Sequence, residues 1–92
     1  MSLQKRFRIR FYGRVQGVGF RYTAYHLALG LNLTGWVENE YDGTVLCEMQ
    51  GERAAIDEFL GKLNGARYIR IDDMDIKELS LDENERGFDI RG

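Results

Sequence analysis

The chain has 92 residues, 43% of them hydrophobic and 30% charged, with a formal net charge of −2. That length predicts a single domain over residues 1–92 with a small core, and the charge balance excludes the strongly basic character of most nucleic-acid-binding domains. Cys47 is the one cysteine and His26 the one histidine, which excludes an intrachain disulfide and a Cys/His zinc site.

The N-terminus lacks an apolar run of signal-peptide length, and no segment is long and apolar enough to cross a bilayer. The expectation is a soluble, cytoplasmic protein without membrane contact. Charge is nevertheless uneven along the chain. Lys5, Arg6, Arg8, Arg10, Arg14 and Arg21 crowd the start, and Asp72, Asp73, Asp75, Asp82, Glu83 and Glu85 crowd the end. Two readings stand: the two sets neutralise each other across a sheet, or the cations raise a local positive potential that steers an anion inward.

Phe7, Ile9 and Phe11 alternate with Arg6, Arg8, Arg10 and Tyr12, the period of a strand with one buried face. A glycine-rich loop follows. Ala24, Leu27, Ala28 and Leu31 then keep helical spacing, which predicts a helix over about residues 22–31 with Asn32 at its stop. Residues 33–39 read as a second strand, and Asp42-Gly43 marks a hairpin turn. Val45, Cys47 and Met49 alternate in a third strand that Gly51 is expected to break. Ile56, Phe59, Leu60 and Leu63 form the stripe of a second helix, ended by Asn64-Gly65. Ile69 and Ile71 begin a fourth strand; Met74 and Ile76 resume on the opposite parity, which predicts a bulge near Asp72-Asp73. Phe88 and Ile90 form a short edge strand. The order is that of a split βαβ, ferredoxin-like α+β sandwich: β-α-β-β-α-β plus a short extra strand, with two helices on one face of an antiparallel sheet.

The densest chemical signal is Gly13-Arg14-Val15-Gln16-Gly17-Val18-Gly19-Phe20-Arg21. Glycines let successive backbone N–H groups turn into a concave nest. The start of a helix adds free N–H groups and a positive dipole end, and arginine adds a permanent forked cation. Such parts suit a compact oxyanion, a phosphoryl group above all. The loop lacks the terminal Gly-Lys-Ser/Thr of a nucleotide-hydrolase P-loop, and its glycines do not keep the G-x-G-x-x-G spacing of dinucleotide folds. Val15 stands where a cysteine-dependent phosphatase would carry its thiol. Cys47 falls on a buried strand face and reads as a core residue. Neither a nucleophile nor a metal-ligand set is visible. In the second strand, alternation puts Val37 and Asn39 on one face and Trp36 and Glu38 on the other, so Asn39 can face the loop that carries Arg21.

With these two motifs the chain resembles the acylphosphatase family. The resemblance rests on residues 13–21 and on Gly35-Trp36-Val37-Glu38-Asn39, in the family's order and separation, with Phe88-Asp89-Ile90-Arg91 similar to its closing strand. It implies hydrolysis of an acyl phosphate to a carboxylate and inorganic phosphate, without metal or cofactor, in a monomer. Carried over, Arg21 holds the phosphoryl oxygens, aided by backbone N–H groups of Val15, Gln16, Gly17, Val18 and Gly19, and Asn39 orients the attacking water. Inorganic phosphate is then both product and competitor.

Other residues receive plainer readings. Arg14 is expected to face solvent, Trp36 to pack, His26 to be exposed, and Tyr22 and Tyr25 to be partly buried structural residues. Two departures from the family stand out: Glu38 occupies a position that is often basic, and Arg91-Gly92 stands where relatives commonly finish with an aromatic. Two alternatives remain open. One is a nucleic-acid-binding module on a similar sheet, although residues 44–50 lack the paired aromatics that stack bases. The other is a carbamoyl-phosphate-binding domain of a larger enzyme, since related sequences occur as parts of carbamoyl-transferring proteins.

Overall fold

The computed structural model describes residues 3–92; the first two residues of the expected 1–92 domain lie outside the described residues. Seven elements follow one another: β1 (Gln4–Arg14), α1 (Phe20–Gly30), β2 (Thr34–Asn39), β3 (Val45–Glu52), α2 (Arg53–Asn64), β4 (Arg70–Leu79) and β5 (Phe88–Arg91). They build one sheet in the order β4-β1-β3-β2-β5. The period-two pattern of β1 holds at Ile9 and Phe11, while Phe7 is only partly buried and Arg6 is buried on the other face. Ile9 and Phe11 are buried with Val37, Val45, Cys47 and Met49 under α1 and α2, which contribute Phe20, Ala24, Ala28, Ile56, Phe59 and Leu63. Burying an aliphatic or phenyl side chain of this kind stabilises the fold by roughly 1.5–3 kcal/mol.

β1 and β2 both run antiparallel to β3, which lies between them, so their carboxyl ends emerge at the same end of the sheet. β5 then joins the edge of β2 in parallel, pairing Gly35 with Phe88 and Val37 with Ile90. The sheet is therefore mixed where the sequence suggested a wholly antiparallel one. Periodicity over four residues carries no direction, and only the return of the 80–87 segment across the sheet decides it. Three strand carboxyl ends, those of β1, β2 and β5, meet at one end of the molecule.

Smaller differences have local causes. α1 begins at Phe20 rather than near residue 22, because Phe20 packs against Phe11 (centroids 4.9 Å apart) and adds a buried turn. Gly51 does not break β3; it pairs with Lys5 inside the strand, where a Cβ would come 2.5 Å from Leu33 Cδ2. The bulge falls where the parity change put it: the β1–β4 register passes from Tyr12↔Asp73 to Gly13↔Ile71, leaving Asp72 as the extra residue. Asn32 follows α1 at φ 56, and the N–H of Leu33 returns to the carbonyl of Ala28.

The early cations take the neutralising role. On the sheet face away from the helices, Arg6 is 5% exposed and binds Glu48 and Glu85, both at 2.7 Å, while Arg8 reaches the other oxygen of Glu48 at 2.6 Å. Burial alone would raise the Glu48 carboxyl; the hydrogen bonds from Arg6 and Arg8 overcome it and hold the group below its ordinary value. Lys5 pairs with Glu78, and Arg10 lies beside Glu40 and Asp42. Arg91 lies over the Trp36 ring at 4.3 Å, which packs the last strand against β2. Cys47 is fully buried, and burial pushes its thiol up, as a core role requires.

Candidate active site

The loop of residues 15–19 leaves the carboxyl end of β1 and enters α1. Gly17 and Gly19 have φ of 73° and 80°, left-handed angles that a residue with a Cβ adopts only at a cost. Gly19 is the N-cap of α1, and it offers no side chain to the first N–H groups. The first turn carries no acidic residue either. The amino end of α1 therefore keeps its unpaired donors and positive dipole end for whatever lies in front of it.

In front of it is a cavity of about 310 Å³ lined by Val15, Gly17, Gly19, Phe20, Arg21, Tyr22, Asn39 and Ile90. Arg21 comes from the first turn of α1, and Asn39 is the last residue of β2. Asn39 pairs with Val45 and so belongs to the sheet face that holds the helices. Arg21 and Asn39, 18 positions apart in sequence (39 minus 21), line the same hollow. Arg21 Nη1 donates to the backbone carbonyls of Gly92 at 2.6 Å and Arg91 at 3.3 Å. No Asp or Glu side chain pairs with Arg21 among the described residues, so no side-chain carboxylate competes with a ligand for its guanidinium.

Of the expected loop residues, Val15, Gly17 and Gly19 line the cavity, whereas Gln16 and Val18 are not among its walls. Val18 packs against the core. The Gln16 side chain turns to the β2–β3 hairpin, where Nε2 donates to the carbonyls of Glu40 and Thr44, each at 2.8 Å. Arg14 is exposed, as expected. Tyr22 corrects the sequence reading: it is 66% exposed and borders the cavity, because one turn of α1 carries it beyond the cover of the sheet. Its ring meets His26 edge-on at 4.3 Å, and His26 is itself exposed. Ile90 is a wall residue that sequence reasoning missed. The pattern Phe88–Ile90 announced a strand but not its parallel seat beside β2, which brings Ile90 to the site.

Glu38 points to the opposite face from Asn39, toward Glu40. A hydrogen bond shared with Glu40 raises the Glu38 carboxyl above its ordinary value, with burial adding and Arg91 opposing. The acid that stands beside Asn39 in sequence is thus outside the cavity wall. Asp42, in the hairpin turn, is held low by the Thr44 hydroxyl, which donates to it at 2.6 Å, and by the Thr44 N–H.

A family model described as acylphosphatase matches residues 7–90. An acylphosphatase of Clostridium acetobutylicum is 40% identical over 89 residues, covering 96% of this chain and 98% of its own length. Among solved structures, the acylphosphatase of Bacillus subtilis superposes with a TM-score of 0.88 at 32% identity, over 98% of this chain and all of that one. Full-length HypF, solved in a phosphate- and nucleotide-bound form, superposes with a TM-score of 0.88 at 28% identity on the whole of this chain, which spans 12% of HypF. The match runs through both motifs and nearly every element, and the chain belongs to the acylphosphatase family, enzymes that hydrolyse acyl phosphates.

Proposed function

We propose that Arg21 and Asn39 are the catalytic residues of a metal-independent acyl phosphate hydrolysis, carried out by the single domain 1–92 as a monomer. Arg21 and the N–H groups of residues 15–19 bind the phosphoryl oxygens, and Asn39 orients a water opposite the acyl oxygen. The new bond forms between water oxygen and phosphorus; the bond between phosphorus and the acyl oxygen breaks; the electron pair leaves with the carboxylate. The water proton passes to a phosphoryl oxygen, because a carboxamide is a poor base. A carboxylate leaves without protonation, so no general acid is needed. A loose phosphoryl-transfer transition state asks mainly for position and charge stabilisation. A guanidinium without an Asp or Glu partner, free helix N–H groups and one amide supply both.

The observation that carries this reading is the convergence of Arg21 and Asn39 on one cavity. Among the described residues, no three His, Cys, Asp or Glu side chains are grouped to hold a metal ion, which favours the metal-free scheme. Arg6 and Arg8 are tied to Glu48, which weighs against the nucleic-acid alternative, since those cations are not offered to a phosphate backbone. No helix among the described residues is long and apolar enough to cross a membrane. We place the protein in the cytoplasm, acting on a small acyl phosphate, with inorganic phosphate as product and competitor and with neither nucleic acid nor membrane as partner.

The test is hydrolysis of benzoyl phosphate in excess chelator, repeated with Asn39→Ala. Full activity under chelation and a loss of about 10²-fold in the folded variant are expected. Dependence on magnesium would overturn the metal-free scheme, and near-normal turnover by Asn39→Ala the assigned roles. A second reading, a carbamoyl-phosphate-binding domain of a larger enzyme, has in its favour the fit of the whole chain onto 12% of HypF. It predicts that carbamoyl phosphate outcompetes benzoyl phosphate in the same assay.

A further inference from the structure

We propose that the Gln16 side chain is a positioning residue, a cross-brace that sets the placement of Asn39 relative to the phosphate loop. The inference rests on the reading of Asn39 as the water-orienting group. The β1–β3 ladder ends at Phe11↔Val45, so no strand pairing joins the loop after β1 to the hairpin after β2. Gln16 spans that gap. Its Nε2 donates both of its hydrogens, one to the carbonyl of Glu40 and one to that of Thr44, each at 2.8 Å. The Thr44 carbonyl also accepts the N–H of Glu40 at 2.8 Å, which closes the hairpin. One carboxamide thus ties the loop to the residue next to Asn39 and to the far side of the same turn. Among the described hydrogen bonds, no other residue of 15–19 reaches residues 39–44.

The hairpin is braced from its other side as well. Arg10 Nη1 donates to the Thr44 hydroxyl at 2.8 Å, and that hydroxyl donates to Asp42 at 2.6 Å. Arg10 starts from β1 inside the sheet, however, and fixes the turn to the scaffold rather than to the loop. Among the described hydrogen bonds, Gln16 alone links the phosphate loop to the hairpin. Its backbone serves the anion nest while its side chain sets the distance to the amide across the cavity. An in-line attack is sensitive to that distance, because a displacement on the order of 1 Å can cost ~10²-fold in rate.

The experiment is a double-mutant cycle on turnover of benzoyl phosphate, with inhibition by inorganic phosphate measured alongside. Gln16→Met keeps the length and removes both donors. Alone it should lower kcat by about tenfold or more while leaving phosphate inhibition within about twofold, since the loop N–H groups and Arg21 are untouched. Added to Asn39→Ala it should lower kcat by less than about twofold, because the residue it positions is gone. Full additivity, an unchanged kcat, or an equal loss of phosphate binding would each overturn the brace. If Asn39→Ala itself keeps normal turnover, the proposed active site fails first, and the brace has nothing to position. Should Gln16→Met not fold, proton exchange decides in the unaltered protein: both side-chain amide protons of Gln16 should exchange slowly, and rapid exchange of both rejects the brace.

Discussion

Arg6 and Arg21 are the same residue type in opposite surroundings, one tied into the fold and the other proposed to hold the substrate. Arg6 is 5% exposed and gives its guanidinium to two carboxylates, Glu48 and Glu85, and to Gln50. Arg21 borders an open cavity, donates to the main-chain oxygens of Arg91 and Gly92, and has no Asp or Glu side chain paired to it among the described residues. Hydrogen bonds orient both groups. Only the carboxylates cancel charge. A guanidinium with no Asp or Glu side chain beside it can turn its charge to a bound anion, the condition an anion-binding arginine must meet; one held by two side-chain carboxylates has no charge left to offer.

Exchanging the two effects is the sharpest way to break that comparison. Arg21→Ala should cost about 10²-fold or more in kcat/KM, since it removes a charge whose work is done in the transition state. Its midpoint in urea should barely move, because no buried partner is orphaned. Arg6→Ala should do the reverse. It leaves Glu85 without its partner and Glu48 with Arg8 alone in a covered site, which destabilises the fold by about 1–3 kcal/mol. The protein that remains folded should hydrolyse at close to the normal rate. A large activity loss in folded Arg6→Ala, or a large stability loss in Arg21→Ala, would mean that the partners' charge does not sort the two roles.

Acid titration sharpens the structural half. Glu48 has its carboxyl depressed in the folded state, with the Arg6 and Arg8 bonds overriding burial. Its contribution is therefore present above the unfolded carboxylate value, about 4.3, and is lost as pH falls through the lower folded value. The urea midpoint should drop between neutral pH and pH values below that range, and Glu48→Gln should flatten this acid limb while lowering stability at neutral pH. An acid limb of the same steepness in Glu48→Gln would assign the titration to other carboxylates.

Most of the functional end of the molecule was legible in the sequence, because its signals are local. Glycines at 13, 17 and 19, Arg21 in the next helix and Asn39 on the correct parity need only strand and helix periods to be placed. The opposite face was far less legible. Arg6 alternates with Phe7 like any solvent-facing strand residue, yet it is buried, because Glu85 lies 79 positions away and the 80–87 segment folds over it. Gln50 anchors that segment by accepting from the N–H of Asp82 and donating to its carbonyl. The parallel direction of β5 and the arrival of Ile90 at the cavity come from the same long-range return. The side-chain contacts of Gln16 were hidden for a related reason, since its partners are carbonyls of a turn 24 and 28 positions on. Charge pattern alone cannot say which cations a distant loop will cover.

The smallest effect concerns Glu38, the acid that replaces a commonly basic residue beside Asn39. Its side chain shares a hydrogen bond with Glu40 on the face away from the cavity, and its carboxyl is raised. The sign is opposite to that of Glu48. A carboxyl raised by folding adds stability that is full below its unfolded value and lost as pH rises through the folded one, so at neutral pH the pair repels. Glu38→Gln keeps the hydrogen-bonding shape and removes one charge. It should raise stability at neutral pH by a few tenths of a kcal/mol, about the scale of exposed charge pairs, and the gain should vanish in acid. Phosphate inhibition should stay within about twofold, because the lost charge faces away from Arg21. A marked tightening of phosphate binding in Glu38→Gln would instead mean that this carboxylate reaches the cavity and opposes the anion, placing it functionally with Arg21 rather than with the outer-face network of Arg6.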